Sequence, residues 1–385
     1  MLDALYLKTI EKRNEINEFF ENIAEQIEIA NVKKEYVPKK FDKNIQDKNF
    51  SAIDGSFNKT KYMAGYIYAI TSQTIVSKSG QNVFKESTSA DINTVSTIYN
   101  NRIDRLLSLQ MNIFELKSTI DTLRKHDDIH YMLMDGSLRG SLMSFRPLQY
   151  YDIPKKLTMI FPEYYRQLEE SIGNNDLSIE ITTERIKGEL SRECEKLIKM
   201  ENMDYSYKDN EMNILMYLES IEQLLCIYYL LKEFKDKIIC ISKTSSTKSL
   251  FNEFIPDSAV IEYTCDESGY TRPRLQESNN IIREINGNKV TIDYPVRNRQ
   301  LSDNVFTTSF VKLEDKSNVL KIELPRKIEE KTFEEILADL ESVSVEGYPH
   351  ILKKAHDEVK IESKFMDRIQ RNLGIYDKTG RDMLN

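Results

Sequence analysis

Two stretches constrain this chain more than any others, because each places a carboxylate at the end of an apolar run. Residues 49–57 pass through Phe50, Ala52 and Ile53 to Asp54, with Gly55 and Ser56 directly after it. Residues 131–138 repeat the form, with Met132, Leu133 and Met134 leading to Asp135, Gly136 and Ser137. Residues 62–70, rich in aromatic and β-branched side chains, read as the partner strand of the first. The pattern predicts a strand that stops on Asp54, a turn, and a returning strand. One Asp-Gly pair commonly marks no more than a turn, since Asp caps its own backbone and Gly takes positive φ. Two copies, each closing an apolar strand, point to paired carboxylates at neighbouring strand ends. A divalent cation is the usual reason to gather such charges, because they otherwise repel.

The length, 385 residues, is enough for one large domain or two ordinary ones and for a sizeable core. A net charge of −8 gives no global basic footprint, so a nucleic-acid partner needs a local basic cleft or metal ions on its phosphates. Cys194, Cys226, Cys240 and Cys265 are widely spaced with no CxxC pair, which argues against zinc and disulfides and for a reducing compartment. No apolar run is expected to reach the roughly 18 residues of a membrane span. The N-terminus lacks a signal-peptide layout, and a cytoplasmic location is the expectation.

Along the chain, residues 2–34 show apolar side chains at near-helical spacing, an amphipathic helix suited to packing on the domain or on a second subunit. Residues 35–48 read as a connector. Strands are expected at 62–70 and 73–77, then N-cap candidates at 87–91 and a long helix over 92–125. Residues 141–210 look like a helical insertion, and 211–234 a strong helix. A buried strand over 237–242 leads into Lys243, with a helix starting near Ser246 and an edge strand at 259–263. Further strands are expected at 281–285, 290–294, 305–311 and 319–324, with Asn286-Gly287 as a hairpin turn. Helices over 333–340 and 349–373 close the pattern, followed by a polar tail from 374.

Three further residues carry possible chemistry. Glu115 lies on the long helix. At about 100° per residue, Leu106, Ile113 and Ile120 fall nearly opposite it, so periodicity alone makes it a surface residue. Lys243 follows a buried strand in a Ser/Thr-rich loop, where a lysine can hold a phosphate or simply be solvated; no glycine-rich cradle accompanies it. His356, near the start of the last helix, borders an apolar stripe with Leu352 and Val359. The chain has no Ser-His-Asp spacing, HExxH or GxGxxG, and its 21 tyrosines are scattered.

Taken in order, these pieces resemble the NurA family of DNA-end nucleases. The matching elements are Ile53 to Ser56, a helical Glu about twenty residues before the second Asp, Leu133 to Leu138, Ile241 to Thr244, and Tyr348-Pro349 followed by Ala355-His356. The resemblance implies an α/β fold with an RNase H-like core, a mixed sheet flanked by helices. With the patterns read above, the chain divides into an N-terminal segment 1–48, a nuclease domain of this type over 49–373 with the insertion 141–210, and a tail 374–385. The resemblance further implies a homodimeric 5′-to-3′ exonuclease with single-strand endonuclease activity, dependent on manganese or magnesium and working with a hexameric HerA-type translocase on DNA double-strand breaks. Carried onto this sequence, Asp54, Glu115 and Asp135 become metal-binding carboxylates, His356 a catalytic or phosphate-contacting residue, and Lys243 a phosphate contact. Phosphodiester hydrolysis by two metals about 3.5–4 Å apart suits such ligands, with Asp54 as the shared one. Segments 141–210 and 266–304 match poorly.

Two other readings compete. Sugar-kinase and actin-like ATPase folds also place Asp-Gly turns at phosphates, but they use glycine-rich loops that this chain lacks. A non-catalytic clamp or adaptor on a motor ring would suit the N-terminal helix and the acidic balance.

Overall fold

The computed structural model describes the chain except residues 1, 26, 42–47, 63, 79–82, 97, 99–100, 279–280, 286–287 and 376–385. Helices α1 (Leu2–Glu25) and α2 (Ile29–Glu35) lead into strand β1 (Tyr36–Pro38). A meander follows: β2 (Phe50–Lys61), β3 (Gly65–Ser77) and β4 (Phe84–Ser96). Helix α3 (Ile103–Lys125) then returns the chain to β5 (Tyr131–Asp135). Four helices come next: α4 (Leu138–Ser144), α5 (Phe161–Gly173), α6 (Thr182–Met200) and α7 (Tyr207–Phe234). After β6 (Ile238–Ser242) come α8 (Asp257–Thr264), β7 (Gly269–Thr271), β8 (Arg274–Glu277), the hairpin β9 (Ile281–Ile285) and β10 (Asn288–Ile292), and α9 (Asn298–Ser302). The order ends with β11 (Val305–Lys312), β12 (Leu320–Leu324), α10 (Glu330–Ser342), the short pair β13 (Ser344–Val345) and β14 (Tyr348–Pro349), α11 (His350–Val359) and α12 (Ser363–Asn372).

One large mixed sheet organises these elements in the order β1-β7-β11-β12-β6-β5-β2-β3-β4, with β8 beside β11. The pairs β2/β5 and β5/β6 are parallel and the rest antiparallel. Side chains alternate across the sheet. Ile53, Met132, Met134 and Cys240 join the core formed with α3 and α7, whereas Ala52, Leu133, Ile239 and Ile241 join the one formed with α10 and α11.

Several expectations are corrected. Strand β2 does not stop at Asp54: it pairs with β3 from Phe50 through Lys61, and the ladder satisfies its backbone through Gly55 and Ser56. The two strands expected after it are one, β3. Residues 87–96 belong to β4, held by pairing with β3, and helix α3 begins only at Ile103. Residues 259–263 lie in helix α8, not in an edge strand, and the helix expected near Ser246 starts at Asp257. The closing helix is two, separated at residues 360–362. The connector contributes β1, which pairs with β7. The Asn286-Gly287 turn lies outside the described residues. Helix α7 is long and apolar enough by composition to cross a membrane, contrary to expectation, but 89% of that stretch is buried within the fold. Helix α1 is exposed, with Leu5, Tyr6, Leu7, Ile10 and Phe19 each more than half accessible.

Helix α3 is covered on both sides, by β2 and β3 and by α7. Its polar residues are therefore buried in two directions. Toward the sheet, the Ser118 hydroxyl is 3.1 Å from that of Ser72. Toward α7, the fully buried Lys117 ammonium lies 2.7 Å from the fully buried Glu222 carboxylate and donates to the Thr182 hydroxyl and the Glu180 carbonyl. Glu222 also accepts from the Thr182 and Thr183 amides, satisfying the free N–H groups at the start of α6. Burial by itself raises the Glu222 pKa, but Lys117 and these donors outweigh it and hold the carboxyl below its ordinary value.

Lys117→Met is expected to cost about 3–5 kcal/mol in denaturant unfolding, the range for breaking a buried pair by removing one partner. A loss under 1 kcal/mol would mean that the pair is not a structural bond. Because the folded-state pKa of Glu222 is depressed, its contribution is present above the unfolded value and is lost as pH falls through the lower folded one. Acid unfolding of Lys117→Met should accordingly begin at higher pH than in wild type.

Candidate functional site

Parallel pairing sets the two aspartates side by side. Ile53 is in register with Met134, so Asp54 and Asp135 follow at the same level of adjacent strands. There the strands part company: β5 ends at Asp135, while β2 continues with no paired strand on that side among the described residues. The predicted turn holds at the second motif, where Gly136 takes φ 107° and Ser137 caps α4 by accepting from the Gly140 amide. The buried Glu323 carboxylate on β12 fixes this turn, accepting from the Ser137 hydroxyl at 2.6 Å and the Arg139 amide at 2.9 Å.

Glu115 reaches the cleft from α3. The periodicity reading of a surface residue is overturned: Glu115 is buried, 8% exposed, because the side of α3 opposite the apolar stripe packs on the sheet and does not face water. Gly55 makes this approach possible. A Cβ at that position would lie 2.5 Å from Glu115 Oε1 and 2.7 Å from Met111 Cγ, so any side chain would expel the carboxylate. Burial pushes the Glu115 pKa well above its ordinary value, and Asp54 and Asp135 push it further.

His356 comes from α11, whose buried Ile351, Leu352, Ala355 and Val359 pack against the sheet. Its Nδ1 is 2.7 Å from Asp54 Oδ2, while Oδ1 accepts from the Gly55 amide at 2.9 Å. Burial raises the Asp54 pKa, His356 opposes the rise, and Asp135 adds to it. The end of α11 is fastened to the same strands: Asn58 donates to the Ile361 carbonyl, the Ile361 amide to Ser56, and Thr71 to the Val359 carbonyl. Lys243, just beyond β6, lies 3.1 Å from Asp135 Oδ2.

Asp54, Glu115, Asp135, Lys243 and His356 are thus brought to one place. A sixth residue, Tyr348, stands at the same place. Its ring lies 4.8 Å from the Lys243 ammonium, and its hydroxyl is buried with no hydrogen-bond partner among the described residues. Burial raises its pKa, with Asp135 and Asp54 adding to the rise. The signal available in sequence was its place eight residues before His356. Beside these groups a cavity of about 570 Å³ opens between Lys243, Tyr348, Lys353 and His356. A larger one, about 1020 Å³, lies between β4, α3 and the start of α6 and includes none of them.

Carboxylate oxygens with one imidazole nitrogen suit a hard divalent cation such as magnesium or manganese. The mutual repulsion of the acids, two of them buried, fits a cation too. Among the described residues, no three His, Cys, Asp or Glu side chains stand as a ready-made metal cage.

Fold and site together define a class: a mixed-sheet α/β protein with an acidic cleft where a short parallel strand ends beside a longer one. Within that class the chain belongs to the NurA family, whose domain matches residues 48–361. It is 28% identical over 397 residues to the probable DNA double-strand break repair nuclease NurA of Methanocaldococcus jannaschii, covering 98% of this chain and 88% of that one. It is 25% identical to the DNA double-strand break repair nuclease NurA of Saccharolobus solfataricus, over 97% of this chain and 96% of the relative. The crystal structure of the NurA nuclease from Sulfolobus solfataricus superposes with a TM-score of 0.71 at 21% identity, covering 97% of each chain. A crystal structure of NurA bound to dAMP and manganese gives 0.64 at 18% identity over the whole of both chains.

Glu115→Gln removes a buried carboxyl whose ionised form is disfavoured by burial and by two neighbouring acids. In metal-free buffer near neutral pH, the variant is expected to unfold at higher denaturant than wild type, by about 1 kcal/mol, the usual range for relieving a strained functional site. A less stable variant would show that Glu115 is a structural residue held by its contacts.

Proposed function

We propose that this chain is a metal-dependent deoxyribonuclease acting on DNA ends in double-strand break repair. The observation that carries the reading is the meeting of Asp54, Glu115 and Asp135 from two strands and a helix, with Gly55 leaving the space in which they meet. The names of the relatives and the manganese and dAMP of a solved family member support it. Their common core corresponds in this reading to an RNase H-like sheet. The finer activity is that of a 5′-to-3′ exonuclease on single- and double-stranded DNA, with single-strand endonuclease action. The chain works as a homodimer with a hexameric HerA-type translocase, and α1 is a contact between subunits.

Asp54, Asp135 and Glu115 would hold manganese or magnesium, two ions per site with Asp54 shared. Bound there, the metal supplies an activated water and neutralises charge at the leaving oxygen. The protein's own groups do the rest. The Gly55 amide and His356 orient Asp54 from opposite oxygens. His356, with Nδ1 engaged by Asp54, presents its other ring nitrogen to a phosphate oxygen. Lys243 carries a positive charge beside Asp135 and steadies the scissile phosphate, and Tyr348 offers a phenolic proton from the same wall. Glu323 acts through the turn after Asp135, keeping that carboxylate in place.

The test is digestion of end-labelled single- and double-stranded DNA in manganese, magnesium or EDTA. Wild type should degrade DNA only with metal. Asp54→Ala and Asp135→Ala should each lose at least about a hundredfold in rate, as expected when a catalytic metal loses a ligand, while circular dichroism remains native. Folded wild type with no degradation, alone or with its translocase, would leave the adaptor reading in its place.

A further inference from the structure

A second set of charged groups lies along α3 from the acidic cleft and has the opposite sign. The Arg105 guanidinium, on the first turn of α3, lies 4.9 Å from the centroid of the Tyr150 ring, and that of Arg146 lies 5.6 Å from the same centroid. Tyr150 is 45% exposed. Two cations are thus gathered on one accessible aromatic ring, in a chain whose net charge is −8. Among the described residues neither arginine forms an ion pair. Arg105 donates only to the Tyr151 hydroxyl, at 3.3 Å. Arg146 Nη1 is buried from water without any hydrogen-bond partner. The nearby acids do not neutralise them. Asp104 is paired with Lys59 at 2.5 Å. Glu219, beneath Tyr151, is fully buried and bonded to Gln110, and burial pushes its pKa well above the ordinary value. Asp152, two residues beyond Tyr150, bonds to neither arginine.

Guanidinium groups form paired hydrogen bonds with phosphate oxygens, and an aromatic ring beneath them fixes the planes of their donors. Lys61, packed near the Tyr66 ring at the far end of β2, extends positive charge along the same end of the helix. Ten residues of α3 separate Arg105 from Glu115, about 15 Å at 1.5 Å per residue. At roughly 3.4 Å per stacked nucleotide, that is a reach of about four nucleotides from the carboxylates.

We propose that Arg105, Arg146 and Tyr150 form a phosphate-binding platform that grips the backbone of a nucleic-acid strand a few nucleotides from the acidic cleft. This rests on the reading of the cleft as a nuclease site. The platform sets strand position, not sequence, because phosphate contacts carry no base information. The ligand chemistry is phosphate, whether in a strand or as the free ion.

The experiment measures binding with cleavage switched off. Fluorescence anisotropy of a labelled oligothymidylate of about 20 nucleotides is followed in EDTA across about 50–200 mM salt. Arg105→Gln/Arg146→Gln should bind at least about tenfold more weakly. The slope of log affinity against log salt should fall by about 1.4, at ~0.7 per lost phosphate contact on a single strand. Arg146→Lys keeps the charge without the paired donors. It should retain the wild-type slope with weaker binding, which separates the platform from a folding defect in the double variant. Equal affinity and slope in wild type and both variants would overturn the proposal. Inorganic phosphate that raises the melting temperature of wild type but not of the double variant, with oligonucleotide affinity unchanged, would assign the platform to the free ion and overturn its role in holding a strand. Wild type that binds and never cleaves would remove the nuclease reading and leave the platform standing; cleavage by wild type with variants that bind normally would do the reverse.

Discussion

The approach of α3 to β2 at a single glycine is the constraint on which the acidic cleft depends. A sheet ordinarily keeps a helix at the distance its side chains dictate. At Gly55 no side chain intervenes, and a carboxylate from the helix occupies that space, 2.5 Å from where a Cβ would be. Asp54 and Asp135 emerge on the other face of the sheet, the face of α10 and α11. The charges therefore converge from both faces at one level of the sheet, beside the point where β5 ends. The short length of β5 matters as much as the glycine, because a longer strand would fill the space in which they meet.

Such a cleft needs a rigid frame, since three acids in partial burial repel one another. The frame comes from the far side of α3. There Lys117 and Glu222 fasten the helix to α7 and to the start of α6, with every donor and acceptor engaged. Repulsion on one side of α3 is thus balanced by a satisfied ion pair on the other. Glu323 has a comparable role at the sheet, where a fully buried carboxylate bonds the turn that carries Asp135. These buried charges cost desolvation free energy, but each has partners, which is the condition under which a core tolerates them.

What could be read in the sequence followed from how local each signal is. Asp54 and Asp135 were legible because an apolar run before a carboxylate is a pattern of neighbours. Where β2 ends was not, since its continuation past Gly55 is fixed by pairing with β3 and not by its own residues. Glu115 shows the limit of periodicity: a single apolar stripe assumes one buried face, and α3 has two. Residues 87–91, with Ser, Thr and Asp, looked like the caps of a helix starting near 92 because those side chains suit caps; pairing with β3 put them in a strand instead. His356 and Lys243 stood out only as a histidine beside an apolar stripe and a lysine after a buried strand, the family resemblance gave them roles, and the geometry sets both against the aspartates. Tyr348 was marked only by its place eight residues before His356, and its position in the cleft depends on a short hairpin. Arg105 and Arg146 are 41 residues apart and meet only on a ring that folding brings between them.

The fastening of α11 to β2 has a consequence for how the protein is made. Asp54 and its imidazole partner are separated by 302 positions, and the bonds that hold them together tie Ser56 and Asn58 to Ile361. A growing chain leaves the ribosome with both aspartates long before the last helices follow. Until residue 361 has emerged, the carboxylates have neither the histidine nor the cover of α11. Synthesis order therefore acts as a timer: the cleft is completed only once residue 361 has emerged, and a product truncated before it carries the acids without the group that orients them.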